Sequence, residues 1–202
     1  MLPLRYGDEV RKIKRSRPRG RWVVGAAVSS FVLAVVLGII TRLLLEAIYS
    51  LFVSFAILLV VIAVGIVFDL IGTAAAAAEL APLNAKAARK QYGARRAVDL
   101  VQQADRVASI CNDIIGDISG IVSGALAAVI ILRLAEASPL LPVELYGGVI
   151  LTALVAALTV GGKAWGKNIA INRSTEIILF TGRILTRYDR LREWVFRKGK
   201  KG

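Results

Sequence analysis

The chain has 202 residues, of which 56% are hydrophobic, and it carries 27 Lys and Arg against 14 Asp and Glu, a net charge of +13. With no His and a single cysteine, Cys111, the sequence excludes a disulfide framework, a zinc site and a thiol catalytic pair. The apolar residues occur in long runs and not in amphipathic periods, which indicates an integral membrane protein.

Four apolar stretches are long enough to cross a bilayer. Val23–Ile40 and Leu145–Gly162 each have 18 residues without a charge, Ala47–Phe68 has 22, and Val107–Leu132 carries charges only in its first half. An 18-residue helix is ~27 Å long, close to the ~30 Å of hydrocarbon. The sequence therefore predicts an all-α fold with a transmembrane domain over residues 23–175. Its four helices are expected at about 23–45, 47–79, 107–132 and 145–166.

Basic residues lie in the segments that separate or flank these helices. Residues 1–22 carry eight Lys or Arg, residues 86–106 carry six, and residues 183–201 carry eight, whereas the other two connections carry one each. Since Lys and Arg are enriched in cytoplasmic segments, both termini and the 81–106 loop are expected in the cytoplasm of a multi-pass protein of the cell membrane. Contact with the bilayer explains the charge without a nucleic-acid partner.

The segments outside the bilayer have their own expected structures. Residues 1–22 are predicted to be a basic tail, and residues 83–106 a cytoplasmic helical hairpin broken at Gly93. Residues 176–202 are predicted to form a juxtamembrane amphipathic helix and a basic tail on the inner membrane surface. The apolar side of that helix contains Ile177, Ile184, Tyr188, Leu191 and Val195.

The third apolar stretch contains a polar stripe. At helical spacings of three and four, one face carries Ser109, Asp113, Gly116, Asp117, Gly120 and Gly124. A carboxylate facing lipid costs roughly 2.5–3.5 kcal/mol, so the stripe should face protein or a water-filled cavity. Glycine stripes are commonly plain packing seams. Two like charges one turn apart instead require compensation by a proton, a metal ion or a basic side chain.

Neighbouring helices bring further polar residues to the same inner level of the membrane. The second stretch ends with Asp69 and Thr73, and the fourth ends with Gly161, Gly162 and Lys163. The two glycines are expected to bend the helix or to let another helix pack closely. Lys163 is expected to pair with Asp113 or Asp117, because an unpaired charge at this depth is costly.

Four segments carry a resemblance to a known family. They read FDLIGTAAAAAE, the basic stretch 85–106, SICNDIIGDISG and GGKAWGKNIAINRSTEI. Over about residues 67–195 the chain resembles the transmembrane domain of the CNNM/CorC (CorB) magnesium transporters, with 23–45 as an additional leading helix. The resemblance implies a homodimeric membrane scaffold, magnesium transport and juxtamembrane helices. The family's regulatory domains do not follow in this sequence, so a separate regulatory partner is a candidate.

The chain departs from the family at the metal site. Lys163 stands where the family has a magnesium-ligating Glu, and Gly166 stands where it has a Pro, whereas Lys167 matches a family Lys. Asp69 aligns near the family's Ser and Gly72 near its Glu. The resemblance therefore implies the scaffold, with a redrawn site in which Lys163 and Lys167 compensate charge or gate access.

Three functions remain open on these residues. The first is a transporter or binding protein for divalent cations, with Mg²⁺ as the candidate ion, because Mg²⁺ prefers hard oxygen ligands. The residues that could supply them are Asp69, Thr73, Ser109, Asn112, Asp113 and Asp117. The second is a non-transporting membrane scaffold in which Lys163 neutralises the acids, and the third is a proton- or sodium-coupled carrier. An enzyme is not expected, since no nucleophile–base pair or nucleotide motif is present.

Overall fold

The computed structural model describes residues 20–47, 50–137 and 146–198. Within these ranges 93% of the residues are helical and none lies in a strand, as the predicted all-α fold requires. Most of the predicted basic tail at 1–22, the connection at 138–145 and the last residues of the C-terminal tail lie outside the described residues. The elements are α1 (Gly20–Ala47), α2 (Leu51–Ala77), α3 (Leu80–Ala88), α4 (Ala94–Gln102), α5 (Ala104–Ala108), a π-helical segment (Ser109–Gly116), α6 (Asp117–Ala137), α7 (Gly148–Asn172) and α8 (Ser174–Lys198).

Three helical stretches in the described part of the chain are long and apolar enough to cross a membrane. They are Leu51–Ala77 with 27 residues, Ala104–Glu136 with 33, and Gly148–Asn172 with 25. These match the second, third and fourth predicted spans and are consistent with a multi-pass membrane protein. The first predicted span lies in α1, where the apolar helical part, Ala27–Ile40, is shorter. A fourth crossing therefore stays a prediction.

A first core lies between α2, α6 and α7, which belong to the candidate membrane spans. Leu58, Ile62, Leu126, Ile130 and Val155 are buried there, and Leu33 and Leu37 of α1 pack against the cluster from outside. The hydroxyls of Ser119 and Ser123 donate to backbone carbonyls four residues earlier, at 2.7 and 2.6 Å. Ser119 and Ser123 therefore need no partner on another helix.

A second core joins the end of α2 to α3, α4 and α8. Ala74 and Ala75 of α2 are fully buried together with Leu83 of α3 and Ile178 of α8. The alanine run therefore forms a tight helix contact, because its small side chains let α8 approach the α2 backbone. The chain then leaves α2 through Ala78 and Glu79, which are extended, and α3 begins at Leu80. Pro82 lies in the first turn of α3, where its missing N–H does no harm.

The turn between α3 and α4 depends on glycine. Gly93 precedes α4 with a left-handed φ of 83°, and Lys90 has a φ of 54°. Helix α8 crosses this turn so closely that a Cβ on Gly93 would lie 2.6 Å from the backbone nitrogen of Arg183. A Cβ on Gly182 would likewise lie 2.5 Å from the carbonyl oxygen of Gly93. Two glycines thus set the contact between α4 and α8.

Helix α8 has a buried side and an exposed apolar side. Ile178, Leu179 and Gly182 face α2 and α4, and Ile177 is half-buried beside them. The exposed side, here called the apolar stripe of α8, consists of Phe180, Ile184, Tyr188 and Leu191. Of the predicted apolar residues, Ile184, Tyr188 and Leu191 lie in this stripe, and the side chain of Val195 is outside the described part.

Candidate functional site

A buried carboxyl group lies in the C-terminal part of α2. Asp69 is 3% exposed, and its Oδ2 atom accepts no hydrogen bond. The Lys167 ammonium of α7 lies 3.8 Å from Oδ2, near enough for an ion pair but too far for a hydrogen bond. The Lys167 side chain is 51% exposed, so it reaches the acid from the outside of the bundle. The sequence motifs had placed Lys167 at this level without identifying its partner.

A second orphaned oxygen faces the same side of α2. The Oδ1 atom of Asn112, in the π-helical segment, is buried without a hydrogen-bond partner. It lies directly over Gly72, where a Cβ would collide with the Asn112 carboxamide and would also lie 3.0 Å from Cβ of Cys111. Gly72 follows Asp69 by three residues, so both lie on one face of α2. Asp69, Asn112 and Lys167 are here called the polar site; half-buried Thr73, one turn beyond Asp69, borders it.

A second lysine of α7 pairs with the third apolar helix. Nζ of Lys163 lies 3.5 Å from Oδ1 of Asp117 and donates to the carbonyl oxygen of Gly116 at 3.3 Å. Of the two acids predicted to pair with Lys163, Asp117 is the one that lies within ion-pair distance. Asp117 is 69% exposed, however, so this ion pair lies at the edge of the bundle.

Asp113 lies apart from both lysines. Its Oδ2 atom accepts a hydrogen bond of 2.9 Å from the Ser109 hydroxyl one turn earlier, and the residue is exposed. The π-helical segment explains this position, because its i→i+5 turns are wider than the α-helical turns on which the predicted polar stripe is based. The predicted single stripe is therefore divided: Gly116 faces α2 and α7, whereas Asp113 and Asp117 face outward.

The glycines of the predicted packing set also differ in their surroundings. A Cβ on Gly162 would meet the side chain of Ile66, and one on Gly116 would lie 3.5 Å from Nζ of Lys163. Gly120, Gly124 and Gly161 have no atom within 4 Å of such a Cβ in the described part of the protein. The lack of a side chain at Gly162 therefore lets α2 pack closely against α7. Gly166, which the packing prediction omitted, does the same beside Ile66 and Leu70.

The six predicted ligand residues do not form one cluster. Among residues 20–47, 50–137 and 146–198, no group of three or more His, Cys, Asp and Glu side chains could hold a metal ion. Asp69 lies beside Lys167 and Asn112 packs over Gly72, one turn further along α2, while Asp113 pairs with Ser109 and Asp117 pairs with Lys163. One carboxylate and one amide oxygen fit Mg²⁺ better than Ca²⁺, since Mg²⁺ keeps several waters whereas Ca²⁺ takes six to eight oxygens.

No protein-family model, curated protein or solved structure matches this chain. The likeness to the CNNM/CorC transporters thus rests on the sequence motifs alone and remains a hypothesis about the scaffold. The geometry of the site carries the functional argument by itself.

Leucine at Gly120 distinguishes packing within the chain from packing between chains. Because the Gly120 position is open, Gly120→Leu should leave the stability of a monomer within about 0.5 kcal/mol of wild type. Gly65→Leu is the matched contrast, since a Cβ there lies 2.9 Å from Cβ of Ser119, and it should lower stability by about 1–3 kcal/mol or more. Both are measured by thermal unfolding in detergent, with oligomeric state by light scattering. If wild type is a dimer and Gly120→Leu is a monomer, the open glycines are the dimer contact. If wild type is itself a monomer, the predicted homodimer is contradicted.

Proposed function

We propose that this protein is a membrane transporter or binding protein for divalent cations, with Mg²⁺ as its ion. The observation that carries the proposal is two buried oxygens that lack a hydrogen-bond partner, Oδ2 of Asp69 and Oδ1 of Asn112, both on the side of α2 that carries Asp69 and Gly72. A buried acceptor without a donor costs about 1–3 kcal/mol, and a cation would satisfy both. In this proposal the site lies in the cytoplasmic half of the bilayer, and both termini of the chain are in the cytoplasm.

Lys167 has a defined part in this proposal. Its ammonium already supplies one positive charge beside Asp69, so a metal ion competes with a tethered cation of the protein. The side chain is half exposed and flexible, and it can withdraw from the acid without movement of a helix. Lys163 acts on the separate acid Asp117 and therefore does not compete for the same oxygens. The homodimer and a regulatory partner belong to the same hypothesis.

The second candidate is a membrane scaffold that transports nothing. It is favoured by the pairing of the acids: Asp69 lies beside Lys167, Asp117 beside Lys163, and Asp113 accepts from Ser109. In this case the two lysines are permanent counterions. Their function is to let acidic helices pack at membrane depth.

A melting-temperature titration with MgCl₂ in detergent separates the two functions. Ionic strength is held constant with NaCl, because screening alone changes the stability of exposed ion pairs. Wild type should be stabilised by Mg²⁺, by about 2.7 kcal/mol at a concentration of 100 Kd. Lys167→Ala should respond at lower Mg²⁺ concentrations because its competing ammonium is gone, and Asp69→Asn should not respond.

Two controls make the titration specific. Asp113→Asn removes an acid that lies outside the polar site and should respond as wild type does, and Lys163→Ala should leave the Asp69 response unchanged. An absence of response in every variant would contradict the Mg²⁺ site and favour the scaffold function. A response that Asp69→Asn retains would show that Mg²⁺ binds elsewhere. Influx of Mg²⁺ into proteoliposomes containing a fluorescent indicator then separates transport from binding.

A further inference from the structure

A cavity of about 400 Å³ lies outside the candidate membrane spans, between the α3–α4 turn and α8. Its lining contains four cationic side chains and one acid, together with an exposed tyrosine. The residues that matter here are Lys90, Tyr92, Arg95, Arg96, Asp99 and Arg190. We call it the basic cavity. Its volume falls in the range of pockets that hold small molecules, roughly 300–1,000 Å³.

The carboxylate in the lining, Asp99, and a second one outside the lining, Asp189, both lie against Arg96. Arg96 donates from Nε and Nη2 to Oδ2 of Asp189 at 2.8 and 2.5 Å, and its Nη1 lies 3.9 Å from Asp99. Arg96 thus ties α4 to α8 and is neutralised. Among the described residues, Lys90, Arg95 and Arg190 have no carboxylate within ion-pair distance. Three unneutralised cations around one cavity indicate an anionic ligand.

Arg190 is held in a defined orientation. Its guanidinium carbon lies 4.8 Å from the centre of the Tyr92 ring. This cation–π contact holds the guanidinium beside the ring and leaves N–H groups free to donate. A planar, oriented guanidinium is suited to two parallel hydrogen bonds with a phosphate. The stack therefore prepares Arg190 for an oxyanion.

The position of the cavity on α8 indicates from which side the ligand arrives. Thr186 and Arg190 line the cavity, whereas the apolar stripe contains Ile184 and Tyr188. At about 100° per residue, Tyr188 lies about 200° around the helix from Thr186. The stripe and the cavity therefore face opposite sides of α8. With the stripe against the membrane surface, the cavity opens to water.

We propose that the basic cavity binds the phosphate group of a small, water-soluble anion, with Arg95, Arg190 and Lys90 as its charged contacts. Phosphate is favoured over a carboxylate because its three or more oxygens can be shared among several separated cations. The volume exceeds that of a single ion, so the ligand is a phosphorylated small molecule and not inorganic phosphate alone. This inference is independent of the cation site in the membrane.

The proposal is tested with pyrophosphate as the probe. Binding to the purified full chain in detergent is measured by calorimetry at constant ionic strength, with chloride replaced by the probe. Wild type should bind with saturation at one site. Arg190→Gln and Arg95→Gln should each weaken binding by about tenfold, as expected for the loss of a charged hydrogen bond. Arg187→Gln is the matched control, since it removes the same charge from α8 outside the cavity lining, and it should bind as wild type.

Each other result has a definite meaning. Equal weakening in all three variants would show a general effect of net charge and would overturn the proposal. So would a lack of saturable binding by wild type. A second arm uses nanodiscs of phosphatidylcholine with or without phosphatidic acid. One outcome is that phosphatidic acid is needed to stabilise the protein, and that pyrophosphate neither binds the protein nor competes with this lipid. In that case the ligand is a lipid headgroup, and the assignment of the cavity to the water-facing side is overturned. If pyrophosphate binds equally in both nanodiscs, the proposal stands.

Discussion

Gly93→Ala should destabilise the protein by about 2–5 kcal/mol. The substitution places a Cβ at a φ of 83°, which costs roughly 1–2 kcal/mol for a residue other than glycine. The same Cβ would lie 2.6 Å from the backbone nitrogen of Arg183, and overpacking of this kind costs typically 1–3 kcal/mol. Because backbone atoms are the obstacle, no rotation of a side chain relieves the contact. Helices α4 and α8 would have to separate.

Gly182→Ala tests the same contact from the other helix. Its Cβ would lie 2.5 Å from the carbonyl oxygen of Gly93 and 2.8 Å from the nitrogen of Ala97. Gly161→Ala is the control, since its position on α7 is open and alanine favours a helix over glycine by up to about 1 kcal/mol. Stability is measured by thermal unfolding in detergent. Melting temperatures of Gly93→Ala and Gly182→Ala at or above that of Gly161→Ala would contradict the close packing of α4 on α8.

Lys167→Met should lower stability by about 2–3 kcal/mol. The substitution preserves an unbranched side chain but removes the ammonium that lies 3.8 Å from a carboxyl group only 3% exposed. Removal of one partner of a buried pair costs about 3–5 kcal/mol, and the estimate is reduced because Lys167 itself is half exposed. Lys163→Met is the matched control: its partner Asp117 is largely exposed, so the loss should be about 1 kcal/mol or less.

The double variant Lys167→Met with Asp69→Asn tests whether the loss of stability in Lys167→Met comes from the unpaired charge of Asp69. Asparagine removes the charge at residue 69, so the double variant should be more stable than Lys167→Met alone, with a coupling of about 1–3 kcal/mol. Thermal unfolding of wild type, both single variants and the double variant completes the cycle. Additive losses would show that Lys167 and Asp69 do not interact in the folded protein.

The helices of the membrane core could be predicted because length and hydrophobicity are local properties of the sequence. The second, third and fourth apolar runs became α2, the Ala104–Glu136 stretch and α7 with shifts of a few residues. The end of α2 lies two residues before the predicted residue 79, because the chain is extended at Ala78 and Glu79 and Pro82 lies in the first turn of α3. A proline in the first turn of the next helix is tolerated, so it marks a beginning as readily as an end.

The candidate site was less predictable because its geometry depends on a π-helix. Spacing at three and four residues placed Asp113 and Asp117 together on the buried face, and the wider turns of Ser109–Gly116 instead directed Asn112 toward α2. Depth alone suggested that Lys163 lies near an acid, but the pairing of Lys167 with Asp69 required the lateral packing of α7 on α2. The one local signal for the contact was Gly72, which aligned near a family acid and so was not assigned to packing.

The two lysines of α7 also bear on how this protein is made. Helices reach the membrane in chain order, so Asp69 in α2 and Asp117 in α6 arrive before Lys163 and Lys167 have been synthesised. An unmatched carboxylate at the centre of a membrane helix costs roughly 2.5–3.5 kcal/mol on insertion scales. The arrival of α7 supplies an ammonium group to each of the two earlier helices. A nascent chain that ends before residue 163 therefore carries Asp69 and Asp117 without the ammonium groups that lie beside them in the complete fold.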